Sequence, residues 1–460
     1  MDGWESPERG RGGGGETGVA AALLRRLVLV RPGEGAALAW SAAYFFLLLF
    51  SYYLQRPLRD AMGIRGDLDR LPWLWTGTTA AMLVAVPVFS LVVSRVPRRT
   101  FLPLLYRFFA LNLVLYFLAF ECVGEGGRTA VGYTYYIWLS VYNLFQVSVF
   151  WGFMADLFRP EQGKRLFAFI AVGGTIGATL GAAVPATLVQ GVALPGAGTL
   201  SLAPTTLLLI AAATLEMARA CVVRLTRLGG VGVGERAGEV AAASREPGRG
   251  VWTGIALVAR SPYLAVLAAY MLFYTVTSTF VWFEQLAVVK SSFEDDASRT
   301  AFFGRLDVAV NVLTLLAQLL VTGRIMRWMG VGTALAVMPV VTGLGFALLA
   351  AEPTLWAFSG FYVLRRAAHY AVDRPSREVL YTVLGPEEKY KSKVFIDTFV
   401  YRGGDLLGAW THGLAAAMAG GLAAVVVPLS VVWAGAAAYL GATNRRMLFR
   451  GSGEASGEGS

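Results

Sequence analysis

Charged side chains interrupt an apolar stretch near the start of the chain. The segment "YYLQRPLRD", from Tyr52 to Asp60, ends an apolar run that begins near residue 36 and is long enough to cross a bilayer. An Arg or Asp at the centre of a membrane helix costs about 2.5–3.5 kcal/mol on the most lenient scale. Arg56 and Arg59 share one helical face with Tyr52, at spacings of four and three. Two interpretations stay open: a cationic wall that faces a cavity and binds an anion, or an interfacial cluster in which Arg56 pairs with Asp60.

A second polar stripe lies in "LRRAAHYAVDRP", within another apolar stretch. Arg365, His369 and Asp373 fall at i, i+4 and i+8, and Arg366 lies beside them. Such a stripe cannot face lipid, so it faces protein or water. It is favoured as an anion-binding element in which His369 can accept a proton, and the alternative is a structural ladder of ion pairs.

A third charged pair lies in "FIDTFVYRGGDLLGAWTH". Arg402 and Asp405 are three residues apart and can pair on one helical face. We expect them to line a cavity, as a pair whose partners change during a conformational cycle.

Several further positions are weaker candidates. Asn143 and Gln146 can donate hydrogen bonds into a cavity, or equally between helices. Glu284 can neutralise a cationic site or accept a proton, and Asp156 is expected to form a gating or structural ion pair with Lys164 or its neighbour. The remaining embedded polar residues carry less weight; they are Arg107, Glu216, Arg219, Arg305, Asp307 and Asn311.

Composition indicates what kind of chain holds these residues. Hydrophobic residues make up 56% of the 460 positions and charged residues 15%, against about 45–50% and 25% in soluble domains. The chain is therefore expected to be a multi-pass membrane protein. Its net charge of +10 is explained by basic loops on one membrane side, so no nucleic acid partner is expected. Cys122 and Cys221 have no metal-like spacing.

Apolar runs and breaker residues predict an all-α protein with about twelve transmembrane helices. The predicted spans are 36–62, 72–93, 101–122, 131–158, 165–189, 203–224, 262–290, 300–323, 332–351, 354–376, 393–419 and 420–442. Most loop arginines and lysines fall on the side that holds both termini, which places the termini in the cytoplasm. Residues 1–35 and 443–460 are predicted to be disordered tails.

The two halves of the chain resemble each other. Both "RPEQGKRLFAFIAVGGTIGA" and "GPEEKYKSKVFIDTFVYRGGDLLGA" carry Pro-Glu, a basic cluster, Phe, Gly-Gly and Gly-Ala in the same order. This predicts two six-helix bundles, 36–226 and 262–442, joined by a cytoplasmic linker over 227–261, as in major facilitator transporters. The glycines of "GGTIGATLG" are interpreted as a helix-packing face and not as a nucleotide fingerprint.

Three strings carry a family resemblance: "RPLRDAMG", "FWGFMADLFRPEQGKRLFAFIAVGGTIGATLG" and "EEKYKSKVFIDTFVYRGGDLLGA". They resemble the ATP:ADP antiporter (nucleotide transport protein) family of the major facilitator superfamily, over roughly residues 36–442. The resemblance implies nucleotide exchange, or proton-coupled nucleotide uptake, by alternating access and without covalent chemistry. By position it points to Arg56, Arg59, Glu284 and Arg402.

These observations predict a secondary transporter for a nucleotide or a related phosphorylated anion, because guanidinium groups bind phosphate in a bidentate manner. Tyr52, Tyr53, Trp151 and Trp282 are candidates for stacking on a base. The alternative is a major facilitator transporter of another organic anion or a drug, with structural arginines. An enzyme is not expected, since the sequence shows no metal cluster or nucleophile-base pair. No cofactor is expected, and the expected setting is a monomer in the bacterial inner membrane.

Overall fold

The computed structural model describes residues 34–95, 98–158, 160–194, 198–228 and 255–457. The predicted N-terminal tail and most of the predicted linker at 227–261 lie outside the described residues. Within those ranges the chain is almost entirely helical, as the apolar periodicity predicts, and twelve helices can be numbered in chain order.

Six helices form the N-terminal half, and their bounds are α1 Gly35–Gly63, α2 Leu71–Arg95, α3 Arg98–Cys122, α4 Glu125–Leu157, α5 Pro160–Leu188 and α6 Thr206–Leu228. A 3-10 turn, Leu68–Arg70, precedes α2. A short antiparallel hairpin follows α5 and pairs β1 Val192–Leu194 with β2 Gly198–Leu200. The apolar pattern does not predict this hairpin, which lies in the connection between α5 and α6.

Six more helices form the C-terminal half. The continuous ones are α7 Pro262–Ser292, α8 Asp296–Ala317, α9 Gly323–Ala351 and α12 Gly421–Gly457. Helix α10 consists of Leu355–Ala368, a π-helical turn His369–Asp373, and Arg374–Leu380. Helix α11 consists of Pro386–Phe395, a π-helical turn Ile396–Val400, and Tyr401–Ala417. A third π-helical turn, Gln318–Thr322, ends α8.

Ten helices among the described residues are long and apolar enough to cross a membrane. Helices α10 and α11 are the other two predicted spans, and they carry the charged stripes that the sequence showed. Both are interrupted by a π-helical turn, a feature that frequently marks functional sites. The predicted all-α, twelve-span architecture is therefore confirmed, with two of its spans broken.

One predicted boundary is wrong. Helix α12 does not end near residue 442 but continues through Gly457. Asn444 is buried, and its Nδ2 donates to the Tyr263 hydroxyl of α7 at 3.3 Å. Polar composition suggested a tail from residue 443, but packing against α7 orders at least the first turn of it.

Glycines bring α1 and α5 into backbone contact. A Cβ added to Gly177 would lie 2.2 Å from the Phe46 carbonyl oxygen, and one added to Gly181 would lie 2.4 Å from that of Phe50. Packing between membrane helices depends on such close approach. The interpretation of "GGTIGATLG" as a packing face agrees with these contacts.

The two halves meet on one side of the membrane. We call the side where α1 begins and α12 ends the tail side, and the opposite one the far side. Helix α8 packs on α5 and α1, and a Cβ on Gly304 would lie 2.7 Å from the Ala186 nitrogen. Several hydrogen bonds, ion pairs and ring contacts join the far-side portions of helices from the two halves. The structure is therefore closed on the far side.

Candidate functional site

A cavity of about 290 Å³, which we call the central cavity, lies between the two halves. This volume is just below the roughly 300–1,000 Å³ typical of ligand pockets. The residues that line it come from α1, α2, α4, α7, α10 and α11. Those that the sequence predicted are Tyr52, Arg56, Arg59, Asn143, Arg365, Arg366, His369, Arg402 and Asp405.

Arg56 joins the halves across the cavity wall. Its Nη1 donates to Asp307 Oδ1 of α8 at 2.5 Å, and its Nη2 lies 3.4 Å from the Tyr362 hydroxyl of α10. Its distance to Asp60 is longer, at 3.9 Å. Arg56 is therefore largely neutralised by a buried carboxylate, and the Arg56–Asp60 pair that the sequence suggested is only its secondary contact.

Arg59 is also engaged by a carboxylate. Its Nε and Nη2 donate to Asp60 Oδ1 at 2.9 and 2.6 Å, and its guanidinium lies 5.0 Å from the ring centroid of Tyr136. Neither first-span arginine points into lipid, so the prediction of a wall facing a cavity agrees with the geometry. Their positive charge is nevertheless mostly balanced on site.

Arg365 is buried without a carboxylate partner among the described residues. Nε donates to Thr342 Oγ1 at 3.0 Å, and Nη2 donates to Thr277 Oγ1 at 2.9 Å and Ser278 Oγ at 3.1 Å. The ring of Tyr274 lies 5.6 Å from the guanidinium. Three neutral hydroxyls orient this cation but do not cancel its charge.

Arg366 is held by tyrosines. It donates to the hydroxyls of Tyr362 and Tyr370, the latter at 3.0 Å, and its nearest carboxylate oxygen, on Asp307, lies 4.0 Å away. Since Asp307 already pairs with Arg56 at shorter range, it only partly offsets Arg366. Arg365 and Arg366 are therefore the cations of the cavity with the least compensation.

His369 and Asp373 form a network behind the cavity surface. The His369 ring stacks on Tyr274 at a centroid distance of 4.2 Å, and its Nδ1 lies 3.0 Å from Asp373 Oδ2. Asp373 is fully buried, accepts from the Tyr270 hydroxyl at 2.5 Å and pairs with Arg377 at 3.2 Å. His369 lines the cavity as predicted, whereas Asp373 orients it from behind.

Arg402 and Asp405 form the predicted pair on α11. Arg402 Nη1 lies 3.3 Å from Asp405 Oδ2, and both side chains line the cavity. The Arg402 side chain is 36% exposed and that of Asp405 6%. The arginine thus reaches the open part of the cavity while the carboxylate lies in its wall.

The balance of these charges is positive. Five arginines reach the cavity, and three carboxylates, those of Asp60, Asp307 and Asp405, lie within salt-bridge distance of them. The excess is located at Arg365 and Arg366. A site with buried uncompensated guanidinium groups attracts anions and repels cations.

Other predicted residues lie elsewhere. Gln146 donates from Nε2 to the Leu48 carbonyl at 2.5 Å, so it links α4 to α1 and does not line the cavity. Glu284 lies 3.0 Å from His412 Nε2 between α7 and α11, also away from the cavity lining. Asp156 lies in the last turn of α4 at the tail side. Lys164 lies in α5, and its side chain is outside the described part of the chain.

The aromatic and acidic partners of the arginines are hard to find from the sequence. Asp307 was only a weaker candidate, although an embedded acid is a signal by itself. Trp75, Tyr136, Tyr274, Tyr362 and Tyr370 line the cavity, but tyrosine and tryptophan are too common in membrane helices to stand out. Of the predicted stacking residues, Tyr52 and Trp282 line the cavity, whereas Tyr53 and Trp151 do not.

Comparison with known proteins adds family and fold. The sequence model described as TLC ATP/ADP transporter matches residues 132–442. ADP,ATP carrier protein 1 of Chlamydia muridarum is 25% identical over 322 residues, which cover 62% of this chain and 60% of that protein. Its counterpart in Chlamydia trachomatis serovar D is 24% identical over the same shares. The chain thus spans about 60% of the length of the curated relatives that it matches.

Solved structures support the fold. The nucleoside transporter NupG has a TM-score of 0.53 at 13% identity, with 91% of this chain and 99% of that chain covered. A bacterial homologue of the lysosomal transporter Spinster, in an inward-facing and unoccupied conformation, has a TM-score of 0.52 at 13% identity, covering 91% and 96%. These likenesses show the fold alone, which is of the major facilitator type. The match over residues 132–442, which is more than half of the chain, leads to one conclusion: the chain belongs to the TLC ATP/ADP transporter family.

Proposed function

We propose that this membrane transporter moves a nucleotide of the ATP or ADP type, or a related phosphorylated anion, by alternating access. The observation that carries the proposal is the pair Arg365 and Arg366, which lie in a cavity between the halves with little carboxylate compensation. Guanidinium groups offer planar, bidentate donors that match phosphate oxygens. Family membership points to the same class of substrate.

The cavity also offers surfaces for the rest of a nucleotide. Trp75, Trp282 and Tyr136 form an aromatic cluster at the far-side end, with ring centroids 5.3 and 5.8 Å apart across the halves. Aromatic rings can stack on any of the nucleic acid bases, because every base has a π-face. We therefore orient the phosphates toward Arg365 and Arg366 and the base toward this cluster.

The transport cycle follows from how the halves pack. With the far side closed, substrate would enter and leave from the tail side, and the basic loop residues on that side favour a cytoplasmic location for it. Outward opening requires that contacts such as Arg65 with Asp296, and Lys290 with the Gly66 carbonyl at 2.5 Å, separate. Rocking of one half against the other around a fixed central site accomplishes this in paired-bundle transporters.

A smaller phosphorylated anion is the second candidate, because the cavity of about 290 Å³ is small for a nucleoside triphosphate. Counterflow in proteoliposomes decides between the two. Vesicles are loaded with unlabelled nucleotide, and labelled ATP, ADP, other nucleotides and simple phosphorylated metabolites are offered outside. Nucleotide counterflow supports the first candidate, and uptake of the smaller compounds alone supports the second.

Variants connect the transport to the cavity. Arg365→Gln and Arg366→Gln are expected to reduce counterflow at least tenfold, because each removes a cation that the substrate phosphates need. Arg219→Gln is the matched control, since Arg219 lies in α6 and pairs with Glu216 at 2.6 Å, away from the cavity. If no phosphorylated compound exchanges, or if both cavity variants transport as well as the control, the proposal is wrong.

A further inference from the structure

Asp405 is held more weakly than the other carboxylates around the cavity. Its one hydrogen bond among the described residues comes from Arg402 Nη1 to Oδ2, at 3.3 Å. No donor in the described part of the chain reaches Oδ1, and the side chain lines the central cavity. Asp405 therefore combines burial, access to the cavity and a single partner.

The neighbouring aspartates have more or shorter bonds. Asp60 accepts two donors of one arginine, at 2.9 and 2.6 Å. Asp307 accepts from Arg56 at 2.5 Å. Asp373 is engaged by a tyrosine, an arginine and His369. These three lie outside the cavity lining, whereas Asp405 lies in it.

Few other charges reach Asp405 from the helices around α11. From α7, Gly404 and Gly408 are approached by the threonines Thr275 and Thr279, and the ionisable groups nearby are the phenols of Tyr274 and Tyr401. Residues 71–94 of α2 and 421–438 of α12 contain no ionisable side chain. Glu284 of α7 is engaged by His412. Across the cavity lie Arg365, Arg366 and His369.

An incoming anion and Asp405 can compete for the guanidinium group of Arg402. Its side chain is the more exposed of the pair, so a phosphate oxygen can reach it from the cavity. Once the guanidinium turns to the phosphate, Asp405 is a buried carboxylate without a cation. Such a charge is costly, and protonation removes the cost.

We propose that Asp405 takes up one proton when an anionic substrate binds Arg402, so that substrate and proton load the cavity together. The proton comes from water in the cavity and leaves when the substrate is released and Arg402 returns. This inference rests on the proposed function, because it uses a phosphorylated anion as the competing partner.

Thermodynamic linkage between proton uptake and ligand binding determines how the binding affinity changes with pH. If binding takes up a proton, lower pH tightens binding, by up to tenfold per pH unit across the titration of Asp405. Asp405→Asn resembles the protonated state and is expected to lose the part of this pH dependence that Asp405 contributes. The phosphates of the ligand also titrate, and this contribution is the same for wild type and variant.

The test is calorimetric titration of the purified full-length protein with ADP, in buffers of different ionisation enthalpy, from pH 6 to pH 8. Wild type should take up to one more proton per ADP than Asp405→Asn. Arg402→Gln should also lose the uptake, because Asp405 is then protonated before ligand arrives. Glu284→Gln is the matched control, an acid in the same half outside the cavity, and should behave as wild type.

Each outcome has a separate meaning. If wild type binds ADP without proton uptake, or if uptake persists in Asp405→Asn, this inference is wrong while the proposed function stands. If His369→Gln rather than Asp405→Asn removes the uptake, histidine is the acceptor and the inference is also wrong. If wild type binds and transports no phosphorylated anion, the proposed function fails and takes this inference with it. Asp405→Ser serves as a second variant if Asp405→Asn does not fold.

Discussion

Arg56 Nη1 of α1 lies 2.5 Å from Asp307 Oδ1 of α8, and this buried ion pair joins the two halves of the transporter. The side chains are 6% and 4% exposed. Removing one partner of a buried pair leaves an unpaired charge and costs about 3–5 kcal/mol. The pair therefore stabilises the state in which the far side is closed.

We predict that Asp307→Asn destabilises the far-side closure and slows transport at least tenfold. A cysteine placed at Thr76, which contacts Trp410 across the halves at 3.3 Å, should become more reactive toward a membrane-impermeant thiol reagent from the far side. The exchanged double variant, Arg56→Asp with Asp307→Arg, should recover part of the transport. Equal labelling of Asp307→Asn and wild type would count against this role.

Trp282 and Trp151 separate a cavity role from a packing role. Trp282 lines the cavity, whereas Trp151 packs on Phe45 and Phe167 in the N-terminal half. Stacking on a base contributes about 1–3 kcal/mol. Trp282→Ala should therefore weaken nucleotide binding about tenfold or more, while pyrophosphate binding changes little.

Trp151→Ala is the control for Trp282→Ala, and it should lower thermal stability with nucleotide affinity intact. The measurement is competition of nucleotides and pyrophosphate against labelled ADP. Equal losses for both ligands in Trp282→Ala would show that the ring supports the fold and not the base.

Because α1 packs closely on α5, the loss of stability on replacing a glycine should depend strongly on its position. A Cβ at Gly177 would lie 2.2 Å from the Phe46 carbonyl oxygen, and backbone atoms cannot yield as a flexible side chain can. Overpacking costs about 1–3 kcal/mol, occasionally more. Because of this overpacking, Gly177→Ala should measurably lower the unfolding temperature of the protein in detergent.

The matched control is Gly152→Ala in α4, where a Cβ would meet nothing within 4 Å. It should be neutral or slightly stabilising, because alanine favours helix. Similar melting temperatures for the two variants would show that α5 can shift away from α1 at little cost.

The far-side start of α8 is capped by Asp295, outside the membrane-spanning segment. Its carboxylate accepts from the Ser298 backbone N–H at 2.7 Å, and hydrogen bonds from the Ser298 side chain and then from its backbone lower the pKa of Asp295. Asp295→Ala should cost about 0.5–2 kcal/mol of stability.

Because the pKa of Asp295 is lower in the folded state, the capping contribution is complete above the unfolded pKa of about 3.9 and is lost as pH falls through the folded pKa. Thermal melts of wild type and Asp295→Ala should therefore differ at pH 6 and converge below about pH 3. A difference that stays constant with pH would indicate that the carboxylate does not act as the cap.

The number of helices, the arginines of the cavity and the family resemblance could all be predicted from the sequence. Apolar run length is set by bilayer thickness, so spans are visible without any tertiary information. Charges inside such runs are too costly to face lipid, and Arg365, Arg366 and Arg402 indeed line the cavity. Gln146 forms a bond between helices, one of the two alternatives that the sequence left open, because spacing along one helix does not tell which neighbour a polar side chain meets.

What the sequence determined by itself is an all-helical membrane chain of two related halves, with arginines turned away from lipid, since hydrophobicity and charge act locally along each helix. What only the tertiary structure decided is which of those arginines stay uncompensated. Arg56 is neutralised by Asp307, an acid 251 positions away in sequence, whereas Arg365 meets only hydroxyls among the described residues. Electrostatic compensation depends on distances between helices of different halves, and those distances exist only after the chain has folded.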